Sequence, residues 1–339
     1  MITKAVIPVA GLGTRMLPMS AVVPKCLLPL TDSAGRCRAA LHWLCAAARD
    51  AGVMEAAVVV SPSQHEMIAR YVQASCGEGG YGAADPPLPT LHFVIQDRPA
   101  GFGDAVLRAE PFVGRSPFLL LLGDHVSVSP PGVASCVSQV ARAFAMHRPA
   151  AMIGMQPVGE AQLCRVGVAS GVAVASPRDA GILPALRDEG GLASSTGQAN
   201  GTHNAGETPA SRGAVFRATA FIEKPTPAQA RERLVTPGLP EGQFLAHAGI
   251  YAFTSEIFTS LARVMPDKHG EIPFAAAQQL FLERHPKDYL LCQIIGQAHD
   301  LGHPAGYAAA QADFAAGISV PMAQANHLFE GNKPIANSQ

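Results

Sequence analysis

The sequence has no excess of either charge: 25 lysines and arginines face 26 aspartates and glutamates in 339 residues, a formal charge of −1. Such a balance provides no basic surface for nucleic acid, so an anionic ligand must be held by local cations and backbone dipoles. No apolar run approaches the roughly 20 residues that cross a bilayer, and no membrane partner is expected. Met1-Ile2-Thr3-Lys4 leads straight into an apolar segment, leaving no room for the charged region, apolar region and cleavage site of a signal peptide. The seven cysteines are odd in number and include no CxxC pair. That argues against a disulfide framework or a zinc site, and for reduced thiols in a cytoplasmic protein. What the chain does have is apolar content, 48%, enough for one large α/β domain or two smaller ones.

The stretch Lys4 to Leu30, KAVIPVAGLGTRMLPMSAVVPKCLLPL, organises the rest. Ala5 to Ala10 has the length and valine content of a buried strand. Gly11-Leu12-Gly13-Thr14-Arg15 follows at once, and Pro24-Lys25 closes the segment. A glycine-rich turn after a buried strand exposes backbone N–H groups suited to phosphate, and Arg15 and Lys25 add two cations. A dinucleotide-binding fingerprint would need glycine where Met16 stands and an acid closing the second strand, where Ser61-Pro62 stands. A P-loop would need Gly-Lys-Ser/Thr after four spacer residues, and there is none. A plain strand-to-helix turn with solvated basic residues would account for GxG alone, but not for GxG with Arg15 and Pro24-Lys25 together.

GLGTRMLPMSAVVPK resembles the signature of sugar-1-phosphate nucleotidylyltransferases, G-x-G-T-R followed about ten residues later by P-K. Within that family it is most similar to the bacterial UTP–glucose-1-phosphate uridylyltransferases. The resemblance implies an α/β, three-layer fold with a mixed, mainly parallel, Rossmann-like sheet. It also implies transfer of uridylyl from UTP to a sugar 1-phosphate with Mg²⁺. Ala10, Gly11, Gly13 and Thr14 would then hold the nucleotide, with Arg15 and Lys25 as the catalytic cations. Substrates apart, the family suggests a homo-oligomer as partner.

Other family positions recur along the chain. Leu91 to Gln96 reads as a strand ending in Gln96-Asp97-Arg98-Pro99-Ala100-Gly101-Phe102-Gly103-Asp104. A glutamine offers an acceptor and a donor, which suits the O4/N3–H edge of uracil or thymine. In the family that Gln and the following glycine meet the base, so Gln96 and Gly101 take those roles; Asp104 is expected to serve as a helix first-turn acid. Phe118 to Leu122 reads as a central strand that ends in Asp124, where open α/β sheets bind ligands. The resemblance makes Asp124 and Asp300, in His299-Asp300-Leu301-Gly302, the metal carboxylates. Gly167, the pair Glu223-Lys224, and Gly249 fall at the family's sugar-phosphate positions. His125 is expected to be incidental, and Trp43 and His42 to be packing residues.

Arg178 to Ala218 is poor in large apolar residues and reads as a flexible insertion within a single domain of residues 1–317, with a loose tail over 318–339. Departures from the family pattern include Ala21, Cys26, Pro273-Phe274-Ala275-Ala276 and His303-Pro304. They leave open a weakened paralogue that only binds nucleotide or sugar nucleotide, and a thymidylyltransferase acting on another sugar phosphate.

Overall fold

A computed structural model describes residues 1–76, 88–174 and 214–317. The first half contributes β1 (Lys4–Pro8), β2 (Pro29–Thr31), β3 (Cys37–Ala39), α1 (Ala40–Asp50), β4 (Glu55–Val60) and α2 (Pro62–Cys76). It continues with β5 (Thr90–Ile95), α3 (Gly101–Leu107), α4 (Glu110–Val113), β6 (Phe118–Leu121), β7 (His125–Val128) and α5 (Cys136–His147). The second contributes β8 (Ala151–Gly159), β9 (Gly167–Ala173), β10 (Val215–Glu223), α6 (Pro227–Arg233), β11 (Gln243–Phe253) and α7 (Ile257–Leu261). It ends with α8 (Phe274–Arg284), β12 (Tyr289–Gln293), β13 (Gln297–Asp300) and α9 (Pro304–Ala315).

Nine of these strands form one sheet in the order β5-β4-β1-β6-β11-β8-β12-β10-β9. The pairs β5–β4, β4–β1, β1–β6 and β8–β12 are parallel, and only β10 and β11 run against the others. The central strands are buried on both faces, which is why β1, β4 and β6 are nearly continuous apolar runs instead of alternating ones. Leu41 and Leu44 of α1, Val137 and Val140 of α5 and Phe314 of α9 pack on one face. Val106 of α3, Phe258 of α7 and Phe281 of α8 pack on the other. This is the expected three-layer α/β arrangement. The chain leaves β1 toward β4 on one side and finds β6 on the other, so the crevice past their carboxyl ends is a switch point of the sheet.

Side-chain contacts set several element boundaries. Ahead of α1, Asp32 holds Arg36 in a turn: its Oδ2 accepts from Arg36 Nε and Nη2 at 2.8 and 2.6 Å. Cys37–Ala39 then pairs with Pro29–Thr31, and α1 starts only at Ala40. Helix α5 starts at Cys136, where the Ser135 hydroxyl accepts from the Ser138 N–H. The proposed insertion ends sooner than Ala218, because Val215 already pairs with Cys292 of β12. The remainder of that segment up to residue 213, and the tail beyond 317, lie outside the described residues. No described helix is long and apolar enough to cross a membrane.

Candidate active site

A cavity of about 380 Å³ opens at the switch point, lined by the β1 exit from Pro8 to Thr14, by Lys25 and Cys26, by Gln96 and Gly101, and by Leu122 to Asp124. Ala10, Gly11, Gly13, Thr14, Lys25, Gln96, Gly101 and Asp124 thus meet in one pocket. Gly13 sits at φ +68, a left-handed conformation that favours glycine, and a Cβ there would lie 2.9 Å from Cγ and Cδ of Lys25. The lysine stem crosses the glycine turn, so the GxG and Pro-Lys elements form one physical unit. A Cβ on Gly11 would meet no protein atom within 4 Å, which leaves its side of the turn open to a ligand. Cys26 lies buried beneath the pocket, and burial pushes its thiol up to about 12, so it stays protonated.

On the base side Gln96 is 6% exposed. Its Nε2 donates to the Gly101 carbonyl at 3.0 Å and to Asp104 Oδ2 at 2.8 Å. A carboxylate only accepts when ionised, so Asp104 fixes the amide with its nitrogen inward and turns Oε1 away from those partners. Asp104 does sit in the first turn of α3, and it orients Gln96 as well, a role the sequence did not reveal. Arg108 Nε donates to the same carboxylate at 3.3 Å. Gly101 has φ +90, and a Cβ on it would fall 2.8 Å from Glu271 Cβ. The segment Glu271-Ile272 docks on the base loop through Ile272 N–H to Ala100 O and Gly103 N–H to Ile272 O.

Past β6, the short antiparallel pair β7–β13 aligns His125 with Asp300, and Leu301 N–H donates to Asp124 O at 2.7 Å. That pairing draws Asp124 and Asp300 together. Lys25 Nζ lies 2.5 Å from Asp124 Oδ2, and the half-exposed Arg15 Nη2 lies 3.5 Å from Asp300 Oδ2. The two expected cations and two expected carboxylates thus interleave. Burial alone would raise the Asp124 carboxyl, but His125 and Lys25 outweigh it and hold the group well below the usual carboxylate range. His125, expected to be incidental, has Nδ1 3.0 Å from Asp124 Oδ1. Burial opposes its charge, yet Asp124 and then Asp300 raise its pKa.

The donor set suits a divalent cation: ligand atoms of Asp124, His125 and Asp300 all lie within 4.8 Å of one another. A Cβ on Gly302 would fall 2.6 Å from Asp300 Oδ1 and 3.2 Å from Asp124 Oδ2, so the glycine keeps the space between the carboxylates clear. Of the sugar-phosphate candidates, Gly167, Glu223 and Lys224 lie together and Gly249 packs against His125, and none of the four lines the cavity. Gly167 is the cross-strand partner of Glu223, and Lys224 N–H donates to the Val166 carbonyl. Burial pushes the Glu223 carboxyl up, against the pull of Lys224, whose Nζ lies 3.8 Å away. Gly249, at φ +75, lets the His125 ring pass where a Cβ would lie 2.9 Å from the imidazole Cγ. His303 caps α9, its Nδ1 accepting from the Gly306 N–H at 3.0 Å.

A glycine turn, two cations and a carboxylate pair thus lie together at the switch point of the sheet. Residues 4–162 match the model of the nucleotidyl transferase family. Among curated relatives, it is 25% identical over 326 residues to a UTP–glucose-1-phosphate uridylyltransferase of Bacillus subtilis (strain 168), covering 93% of this chain and 91% of that one. A second enzyme of that strain with the same activity in its name, YngB, is 24% identical over 318 residues, covering 90% and 86%. A solved UDP-glucose pyrophosphorylase complexed with UDP-glucose shares the fold at TM-score 0.66 and 21% identity, covering 93% of this chain and 98% of that one.

Proposed function

We propose that the chain is a uridylyltransferase that joins UTP and glucose 1-phosphate to give UDP-glucose and pyrophosphate, acting as one catalytic domain over residues 1–317 in the cytoplasm. The observation that carries this reading is the interleaving of Lys25 and Arg15, from one short segment, with Asp124 and Asp300. A phosphate oxygen of the sugar 1-phosphate attacks the α-phosphorus of UTP in line; the bond to the bridging oxygen breaks and pyrophosphate leaves with the electron pair. The nucleophile is already ionised at neutral pH, so positioning and charge stabilisation do the work and no general base is needed.

The Gly11–Gly13 turn donates backbone N–H groups to the triphosphate while Arg15 neutralises its β/γ end. Lys25 meets the α-phosphate, where charge shifts in the transition state. Gln96, held by Asp104, turns Oε1 to the N3–H of uracil, which cytosine lacks. Gly167, Glu223, Lys224 and Gly249 receive the sugar phosphate: an acceptor carboxylate beside an ammonium fits a ligand that is polyol at one end and phosphate at the other. A divalent cation, Mg²⁺ or a close equivalent, held by Asp124 and Asp300 would supply Lewis-acid neutralisation of the phosphates.

Pyrophosphate release from UTP, dTTP, CTP and ATP, each with a panel of sugar 1-phosphates and Mg²⁺, tests the reading. Turnover confined to UTP with glucose 1-phosphate is the expected result. Turnover with dTTP alone would make the chain a thymidylyltransferase, and UDP-sugar binding without turnover would make it a binding paralogue.

A further inference from the structure

We propose that His125 is itself a ligand of the metal site, giving it a mixed oxygen and nitrogen donor set that favours Mn²⁺ or Co²⁺ over Mg²⁺. The inference rests on the reading of Asp124 and Asp300 as metal carboxylates and adds to it the imidazole.

Three independent features place that ring. The β7–β13 register sets His125 opposite Asp300, and chain connectivity sets it beside Asp124, so it reaches both carboxylates from one strand end. Its ring atoms occupy the space a Cβ on Gly249 would need, with Cγ at 2.9 Å and Cδ2 at 3.0 Å from that position, so the left-handed glycine of β11 admits the imidazole. The carboxylate oxygens are also divided: Lys25 takes Oδ2 of Asp124 and Arg15 takes Oδ2 of Asp300, while Oδ1 of Asp124 faces the imidazole Nδ1 and Oδ1 of Asp300 accepts from Gly302 N–H. One carboxylate oxygen of each aspartate and a ring nitrogen of His125 lie within 4.8 Å of one another. Imidazole raises affinity along the series from Mn²⁺ to Co²⁺ and beyond, whereas Mg²⁺ prefers oxygen and keeps its waters. His303 is the competing source of nitrogen, its Nε2 lying 3.9 Å from Asp300 Oδ2, although its Nδ1 is spent on the α9 cap.

The test is pulsed electron paramagnetic resonance on the full chain with Mn²⁺ as probe and UTP present, comparing natural-abundance protein with protein labelled at histidine with ¹⁵N. Expected is a directly bound imidazole nitrogen whose ¹⁴N modulation is replaced on labelling, which excludes the uracil nitrogens as its source. The signal is lost in His125→Asp and in His125→Gln, and kept in His303→Gln. The Mn²⁺-to-Mg²⁺ affinity ratio, from competition titrations, falls about tenfold in His125→Asp, which restores an oxygen donor. Mn²⁺ binding that is abolished in Asp124→Ala but shows no histidine nitrogen would overturn the proposal and leave the carboxylate site standing. A signal lost in His303→Gln would overturn it in favour of that residue, and absence of saturable Mn²⁺ binding would overturn both. The labelled wild-type spectrum decides even if a His125 variant fails to fold.

Discussion

Replacing Asp104 by alanine removes one of two acceptors that hold the Gln96 amide and touches no phosphate or sugar group. The bond to Asp104 is charge-assisted and the bond to Gly101 O is neutral. Together they favour the observed orientation by about 3 kcal/mol, and the neutral bond alone by about 1 kcal/mol. The flipped amide, with Nε2 toward the base, is then populated at about 0.6% before and about 15% after the substitution. A flipped amide donates to N3 of cytosine, while the native one accepts from N3–H of uracil. The kcat/KM for CTP should therefore rise about 25-fold while that for UTP falls by less than a third. Steady-state pyrophosphate release with each nucleotide at saturating glucose 1-phosphate measures the ratio, and circular dichroism confirms that α3 survives. An unchanged UTP-to-CTP ratio in a folded Asp104→Ala protein would refute the assignment of base reading to an oriented Gln96.

Gly13→Ala places a Cβ 2.9 Å from the Lys25 stem at a positive φ; kcat should drop at least about tenfold and stability by about 1–2 kcal/mol, read by kinetics and urea denaturation. Gly11→Ala meets no protein atom and should leave stability unchanged while raising the KM for UTP. Gly302→Ala should weaken divalent-cation binding about tenfold, measured by calorimetry, with little change in Tm, because the atoms it displaces are side-chain ends of Asp300 and Arg15. His247 is buried against Phe221, its Nε2 without a hydrogen-bond partner among the described residues, and burial lowers its pKa to about 3. The unfolded chain takes up that proton near pH 6.5 and the folded chain does not. Stability should fall as pH drops from about 6.5 toward 3, and His247→Phe should flatten that slope in denaturant titrations across the range.

Where one segment carries several constraints at once, the sequence was informative. Gly11, Gly13, Arg15 and Lys25 are local to each other, and β4, Glu55–Val60, has the bounds its valine run predicts. His125 and Asp104 were under-read for the opposite reason. Their roles come from partners in other elements: β13 for the former, the end of β5 for the latter. The strands β7 and β13 have four residues each and no alternation long enough to distinguish them from loops. Only their pairing defines them. The turn at Asp32–Arg36 was hidden because Arg36 fits the helical spacing of α1, and a side-chain ion pair overrode that pattern.

The central claim concerns which bond of UTP is broken and where the uridylyl group goes. Incubation with α-³²P-labelled UTP, glucose 1-phosphate and Mg²⁺ follows that group directly. The label should appear in UDP-glucose in step with unlabelled pyrophosphate, at a rate lowered by about 10² or more in Lys25→Ala. Label remaining in UTP, or released as UMP whether or not sugar phosphate is present, would contradict the account.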